Sequence, residues 1–221
     1  MEAAYSSKTI LKDLSMTIAS YIESFIHPDL PQLDLIAEEE RRRNDIQPEV
    51  GPQVGRLLAL LVQLIQARRV LELGTCLGYS SLWLASALEK TGGSMVSIEY
   101  RQDLYEQTRA NLLAAGLLDR VELIHGDAGA IVPTLEGPFD LILQDSDKDL
   151  YAPLLEDCIR LVRLNGLIVA DDALFLPMGI PEKFSRPVHA YNQKVFTDPR
   201  LYSTMLPIGD GVTVSVKIAL E

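Results

Sequence analysis

Four residues in two separate segments have the types and spacing to do chemistry together. They are Asp145 and Lys148 in "FDLILQDSDKDLY" (139–151), and Asp171 with Asp172 in "GLIVADD" (166–172). Each segment begins as an apolar run and ends in acids, where a buried strand ordinarily closes in a neutral turn. Carboxylate oxygens with positions left open for water or substrate suit a hard divalent cation, Mg²⁺ ahead of Mn²⁺ or Ca²⁺, rather than zinc. Such a cation clamps two adjacent oxygens of a substrate and acidifies one hydroxyl. Lys148 then stands as the base, because nearby cations depress a lysine's pKa. A plainer reading sits beside this one. Asp147 and Asp149 read as caps of the following helix, and Lys148 taken alone reads also as a salt-bridge partner.

A second constellation lies upstream in "LELGTCLGYSS" (71–81). Gly74 and Gly78 let backbone approach a ligand, and Ser80 and Ser81 start a helix. The second glycine falls too late for the dinucleotide fingerprint, so a diphosphate is not indicated. By themselves the two glycines read as a tight strand–helix turn. Glu72, however, would attract a cation, and Glu99 ends the next apolar run, placed to accept both hydroxyls of a ribose. "GDA" at 126–128 closes a third. Together these fit a nucleoside carrying an amino-acid tail and a positive charge, which is S-adenosylmethionine. Holding its methyl in line with a phenolate is worth up to ~7–11 kcal/mol.

The elements that must position these groups follow from the texture of the chain. "RVLELG", "SMVSIE", "RVELIHGD", "FDLILQD" and "GLIVADD" read as strands, separated by helical stretches at about 78–90, 102–116, 128–135 and 150–164. Strands alternating with helices predict a Rossmann-like, doubly wound, mainly parallel sheet, whose ligands bind at the carboxyl ends of the strands. A further helix is expected at about 182–197, and the "DG" of "LYSTMLPIGDGVTVSVKIAL" predicts a closing antiparallel hairpin. Ahead of the sheet, apolar spacing at Ile10, Leu14, Ile18, Ile22 and Phe25 predicts a helix over 8–26, with others at about 31–43 and 52–67. Trp83 reads as core.

Composition bounds the function classes. The chain has 221 residues, is 48% hydrophobic and carries a net charge of −11. That suffices for a single domain over 1–221, with N-terminal helices at about 8–67. The negative balance disfavours a nucleic-acid partner, and "RRR" at 41–43 after "EEE" at 38–40 reads as a solvated helix face. The most apolar run, "LLALLVQLI" (57–65), is short and broken by Gln63, so no membrane span is expected. The first residues lack the pattern of a secretory signal. Cys76 and Cys158 are only two and lie far apart, which points to a reducing cytoplasm. His27, His125 and His189 are isolated and have no metal-ligand spacing.

The segments "VLELGTCLGYSSLWLA", "FDLILQDSDKDLY", "GLIVADDALF" and "LPIGDGVTVS" carry, in order and spacing, a resemblance that runs from about residue 46 to the end. The chain resembles the cation-dependent O-methyltransferases related to catechol and caffeoyl-CoA O-methyltransferases. The resemblance implies a class I methyltransferase fold, S-adenosylmethionine, a divalent metal, a small phenolic acceptor with vicinal hydroxyls, and a homodimer. Carried over by position, it makes Asp145, Asp171 and Asp172 metal ligands and Lys148 the base. It sets Val50, Glu72, Gly74, Thr75, Ser80, Glu99, Ala128 and Asp145 around the cofactor. Two departures stand out. The family usually has Asp-Asn where this chain has Asp171-Asp172, and the segment after Phe175 lacks the usual W-x-G pattern of the substrate side. Two other readings remain: methylation of a wobble 5-hydroxyuridine in transfer RNA, and a non-catalytic S-adenosylmethionine binder whose metal site is lost to Asp172.

Overall fold

A computed structural model describes residues 17–220. Its strands are β1 (Arg69–Leu73), β2 (Ser94–Glu99), β3 (Val121–His125), β4 (Phe139–Gln144), β5 (Val162–Ala170), β6 (Leu201–Leu206) and β7 (Val212–Lys217). Its helices are α1 (Ile18–Glu23), α2 (Pro31–Glu40), α3 (Gly51–Leu64), α4 (Tyr79–Thr91), α5 (Gln102–Ala114), α6 (Ala128–Ile131), α7 (Leu155–Leu161) and α8 (Glu182–Thr197). Ile10 and Leu14 of the first expected helix lie outside the described residues. The seven strands form one sheet in the order β3-β2-β1-β4-β5-β7-β6. The first five are parallel, while β7 runs antiparallel to both β5 and β6. The expected architecture is therefore the observed one, closing hairpin included.

Strands apolar on both faces need cover on both faces, and the core accordingly splits in two. Val70, Leu141, Leu143, Leu167 and Val169 pack with residues of α2, α3, α4 and α5. Their alternates Leu71, Leu73, Ile142, Ile168 and Ala170 pack with α6, α7 and α8. Among the described residues, no helix is long and apolar enough to cross a membrane.

Among the boundaries that differ from the sequence reading, two have a clear cause in side-chain pairing. The helix expected to reach residue 164 ends at Leu161, and β5 starts at Val162. Val162 pairs with Phe139, and the Arg163 Nε donates to Asp140 Oδ1 at 2.6 Å, so cross-strand contacts override the helical spacing. The "RRR" run also lies beyond α2 rather than on it. Arg42 makes the expected i,i+4 pair with Glu38, but Arg43 turns towards Asp45 and Asp103.

The strand order reverses between β2 and β4, on either side of β1, so the loops after β1 and β4 flank the switch point. Helix α3, which begins just after the segment that walls this region, is seated on α4 through Gly55, against which the Trp83 ring packs directly. A Cβ at Gly55 would overlap that buried ring, and a rigid indole cannot fold away. Gly55→Ala should therefore lower stability by ~1–3 kcal/mol through overpacking, in spite of alanine's better helix propensity. Urea denaturation measures it: a lower midpoint at unchanged slope is expected, and an unchanged midpoint would mean that α3 moves freely on α4.

Candidate active site

Acids end β1, β2, β4 and β5 at the carboxyl edge of the sheet, and a buried carboxylate requires partners. Glu72 shares the face of β1 that carries Val70, opposite Leu71 and Leu73, so it points beneath α4 and is 0% exposed. It accepts the hydroxyls of Ser80 and Ser81 at 2.6 Å each and of Ser97 at 2.8 Å. Burial pushes its carboxyl up to about 7 against the pull of those hydroxyls. Glu99 accepts the Thr75 and Cys76 amides on Oε2 at 3.0 Å each, and the Arg101 amide on Oε1 at 2.8 Å. These bonds pin the β1–α4 loop to β2 and leave Oε1 capacity for a ligand hydroxyl.

The loop after β1 has a second constraint. Gly74 has φ +88°, and a Cβ there would overlap the Asp145 carbonyl, so the loops after β1 and β4 touch. Beside them opens a cavity of about 580 Å³. Gly74, Glu99, Gly126, Ala128 and Asp145 line it from the sheet, and residues 45–48 line it from outside the sheet. Arg101 holds that outer segment, donating from Nη1 to the Asp45 carbonyl at 2.7 Å and from Nη2 to Asp45 Oδ2 at 2.8 Å. Arg43 adds two more bonds to the same carboxylate, at 2.8 and 2.6 Å.

Lys148, in the turn after β4, has a side chain only 1% exposed. Its ammonium donates to Asp145 Oδ1 at 3.1 Å and the Tyr151 hydroxyl at 3.1 Å, and pairs with Asp172 Oδ2 at 2.5 Å. Burial pulls its pKa down, but the Tyr151 oxygen and the Asp145 and Asp172 carboxylates more than offset this and hold it well above the ordinary lysine value. That direction belongs to a site whose only charges besides the amine are anions; the depression expected from the sequence concerns Lys148 beside a bound cation. Asp171 Oδ1 is buried and has no hydrogen-bond partner. Burial, then the neighbouring Asp145 and Asp172 charges, push Asp171 well above the usual carboxylate range. Burial, opposed by Lys148 and aided by Asp145, leaves Asp172 at about 6.

The donor set fits a hard divalent cation. Its oxygens are hard carboxylate donors: Asp145 and Asp172 share the Lys148 ammonium, and Asp171 keeps one buried oxygen without a partner. As the side chains stand, Lys148 fills the place between Asp145 and Asp172. Among the described residues, no three His, Cys, Asp or Glu side chains are grouped to hold a metal.

Of the residues assigned to a cofactor, Gly74, Glu99, Ala128 and Asp145 line the large cavity. Val50, Thr75 and Ser80 line a small one of about 30 Å³ that also reaches Asp145. Glu72 lines neither; it sits under the loop, and strand alternation with Val70 is the signal that placed it there. Asp147 caps the turn after β4, accepting the Asp149 amide at 3.1 Å, as its plainer reading had it. Trp83 is core. The sequence reading missed Arg101, Tyr100, Phe184 and the 45–48 segment, all of which line the large cavity. Asp45 and Arg101 are far apart in the chain, so no periodicity could have paired them.

A family model described as O-methyltransferase matches residues 24–218. The catechol O-methyltransferase of Mycobacterium tuberculosis is 44% identical over 126 residues, which are 57% of this chain and 57% of that protein. The chain thus matches little more than half the length of that relative. The caffeoyl-CoA O-methyltransferase of Eucalyptus gunnii is 33% identical over 76% of this chain and 73% of its own length. Among solved structures, the O-methyltransferase TomG of Streptomyces achromogenes, involved in tomaymycin synthesis and in complex with SAM, superposes with a TM-score of 0.80. It is 28% identical, over 91% of this chain and 96% of that one.

Glu72 generates a pH signature. Between the ordinary value of 4.5 and about 7, the folded protein keeps a Glu72 proton that the unfolded chain has released. Stability contributed by this group therefore falls as pH rises through that window. Glu72→Gln removes the slope, so the variant should gain ~3 kcal/mol relative to the parent between about pH 4.5 and about pH 7.5. Urea midpoints across that range check it; parallel profiles for the two proteins would show that Glu72 stays ionised when folded.

Proposed function

The chain belongs to the O-methyltransferase family, and from that premise we propose that it methylates one hydroxyl of a catechol-like small molecule, using S-adenosylmethionine and a divalent cation. The observation that carries this reading is the orphaned, buried Asp171 Oδ1 in a group with Asp145, Asp172 and Lys148, of which Asp145 lines the large cavity. Buried acids in excess of buried cations mark a place where a positive ligand belongs.

In this reading Glu99 accepts hydroxyls of the ribose, while Gly74 and Ala128 leave room for the nucleoside. S-adenosylmethionine, when bound, supplies an electrophilic methyl on a positively charged sulfur. Asp145, Asp171 and Asp172 would hold the cation, whose charge lowers the pKa of a neighbouring hydroxyl. Lys148 would receive the hydroxyl proton once its own ammonium proton has passed to solvent, a loss that the charge of a bound cation favours. The 45–48 segment, tied by Arg43 and Arg101, excludes water from the reacting atoms. The negative balance of the whole chain supports a small acceptor over transfer RNA. A homodimer belongs to the proposal as well. Tyr21 and Phe25, on and just past α1, and Leu60 and Leu64 of α3 are exposed apolar side chains on elements packed together, a surface suited to a second copy.

Radiolabelled methyl transfer to a panel of catechols and to bulk transfer RNA, with and without chelator, tests this. Labelled catechol that disappears on chelation is expected, with cofactor affinity changed by no more than a few-fold. Full activity in excess chelator would remove the metal, and label only in transfer RNA would remove the catechol. Lys148→Met should lower turnover by ~10²–10⁴-fold with little change in cofactor affinity. An unchanged rate at neutral pH would make Lys148 a structural ion-pair partner and no more.

A further inference from the structure

Resting on the metal reading just given, we propose that Lys148 is the resident counter-ion of this site and that a divalent cation enters by exchanging with it on Asp172. The exchange exists because this chain has aspartate at 172.

The Lys148 ammonium sits between Asp145 and Asp172 with a side chain only 1% exposed. It grips Asp172 Oδ2 more closely than it grips Asp145 Oδ1. A buried carboxylate oxygen held that tightly is not free to coordinate a metal, and a divalent ion beside an ammonium in a dry site is strongly repelled. Charge shows what the exchange achieves. Asp145, Asp171 and Asp172 ionised carry three negative charges against one on Lys148, a deficit of two that a divalent cation makes good. Lys148 also has partners that it can keep when Asp172 is given up. Tyr151 offers its hydroxyl at 3.1 Å, and the Tyr151 and Phe175 rings lie 5.0 and 5.9 Å from the ammonium. All three accept a cation without competing for a carboxylate. A neutral asparagine at 172 could not form this ion pair. Lys148 would then be held by Asp145 and Tyr151 alone, and metal entry would displace less.

A simpler role predicts something different. If Lys148 only repels the metal by its charge, removing it helps metal binding by the same factor whatever stands at 172. If the two cations compete for Asp172, the benefit depends on Asp172 being there. Mn²⁺ binding, measured by equilibrium dialysis without cofactor or substrate, therefore decides between them across four proteins: parent, Lys148→Met, Asp172→Asn and the double variant. We expect Lys148→Met to tighten Mn²⁺ by about tenfold or more with aspartate at 172, and by about threefold or less with asparagine there. Equal factors in the two backgrounds, or weaker binding in Lys148→Met, overturn the exchange while leaving the metal reading intact. No Mn²⁺ bound by any of the four proteins overturns the metal reading, and the exchange with it.

Lys148→Met leaves the buried Asp172 and the half-buried Asp145 without their cation and could fail to fold. The parent protein answers independently. Its Lys148 ammonium, shielded and ion-paired, should give a slowly exchanging side-chain resonance that shifts or is lost as Mg²⁺ saturates the site. A resonance that stays unchanged at saturating Mg²⁺ overturns the exchange without any substitution.

Discussion

Carboxylates buried at one edge of a sheet are the constraint on which this structure depends. A desolvated acid with no partner either takes up a proton or unfolds its surroundings. The fold meets the constraint differently at each strand. Glu72 is surrounded by three serine hydroxyls, Glu99 is bound to three backbone amides, and Asp145 and Asp172 share one ammonium. Asp171 Oδ1 is left with nothing. The first two solutions consume internal groups and shape the backbone; the last two leave charge to be supplied from outside. That difference separates the acids that shape the backbone from those suited to hold a cation.

The backbone arrangement follows from the same demand. Glu99 draws the amides of Thr75 and Cys76 onto β2, and Glu72 ties the first turn of α4 to β1 and β2. The loop between them must then pass close to Asp145, which only glycine at 74 allows. So the acids flanking the switch point set the path of the loop, and the loop sets one wall of the large cavity. The other wall comes from residues 45–48, held by the guanidinium groups of Arg43 and Arg101 at the exposed rim. Exposed pairs of this sort are weak and salt-sensitive, a fitting strength for a segment past which a ligand must enter.

Much of this was legible in the residues, and the gaps have physical causes. Short apolar runs ending in acids announced both the parallel sheet and the edge that gathers the buried acids, because strands buried on both faces carry no competing pattern. The start of β5 was misplaced, since Val162 and Arg163 fit a helical spacing until Phe139 and Asp140 are set opposite them. Glu72 was assigned to a ligand because its type and strand were right; its direction, fixed by alternation with Val70, turned it inwards. That Lys148 pairs more closely with Asp172 than with Asp145 was not legible, because which acid meets which amine depends on the β4–β5 register. The clasp of residues 45–48 by Arg101 joins parts of the chain far apart in sequence and left no local trace at all.

The central claim is that the acids ending β4 and β5 bind a cation beside a cofactor held at the switch point. Diffraction from crystals grown with S-adenosylhomocysteine and Mn²⁺, recorded for the anomalous signal of manganese, tests this directly. The expected result is one anomalous peak within coordination distance of Asp171 Oδ1, with the nucleoside in the large cavity and its ribose on Glu99. Manganese found only elsewhere, or a nucleoside bound away from Glu99, would contradict it.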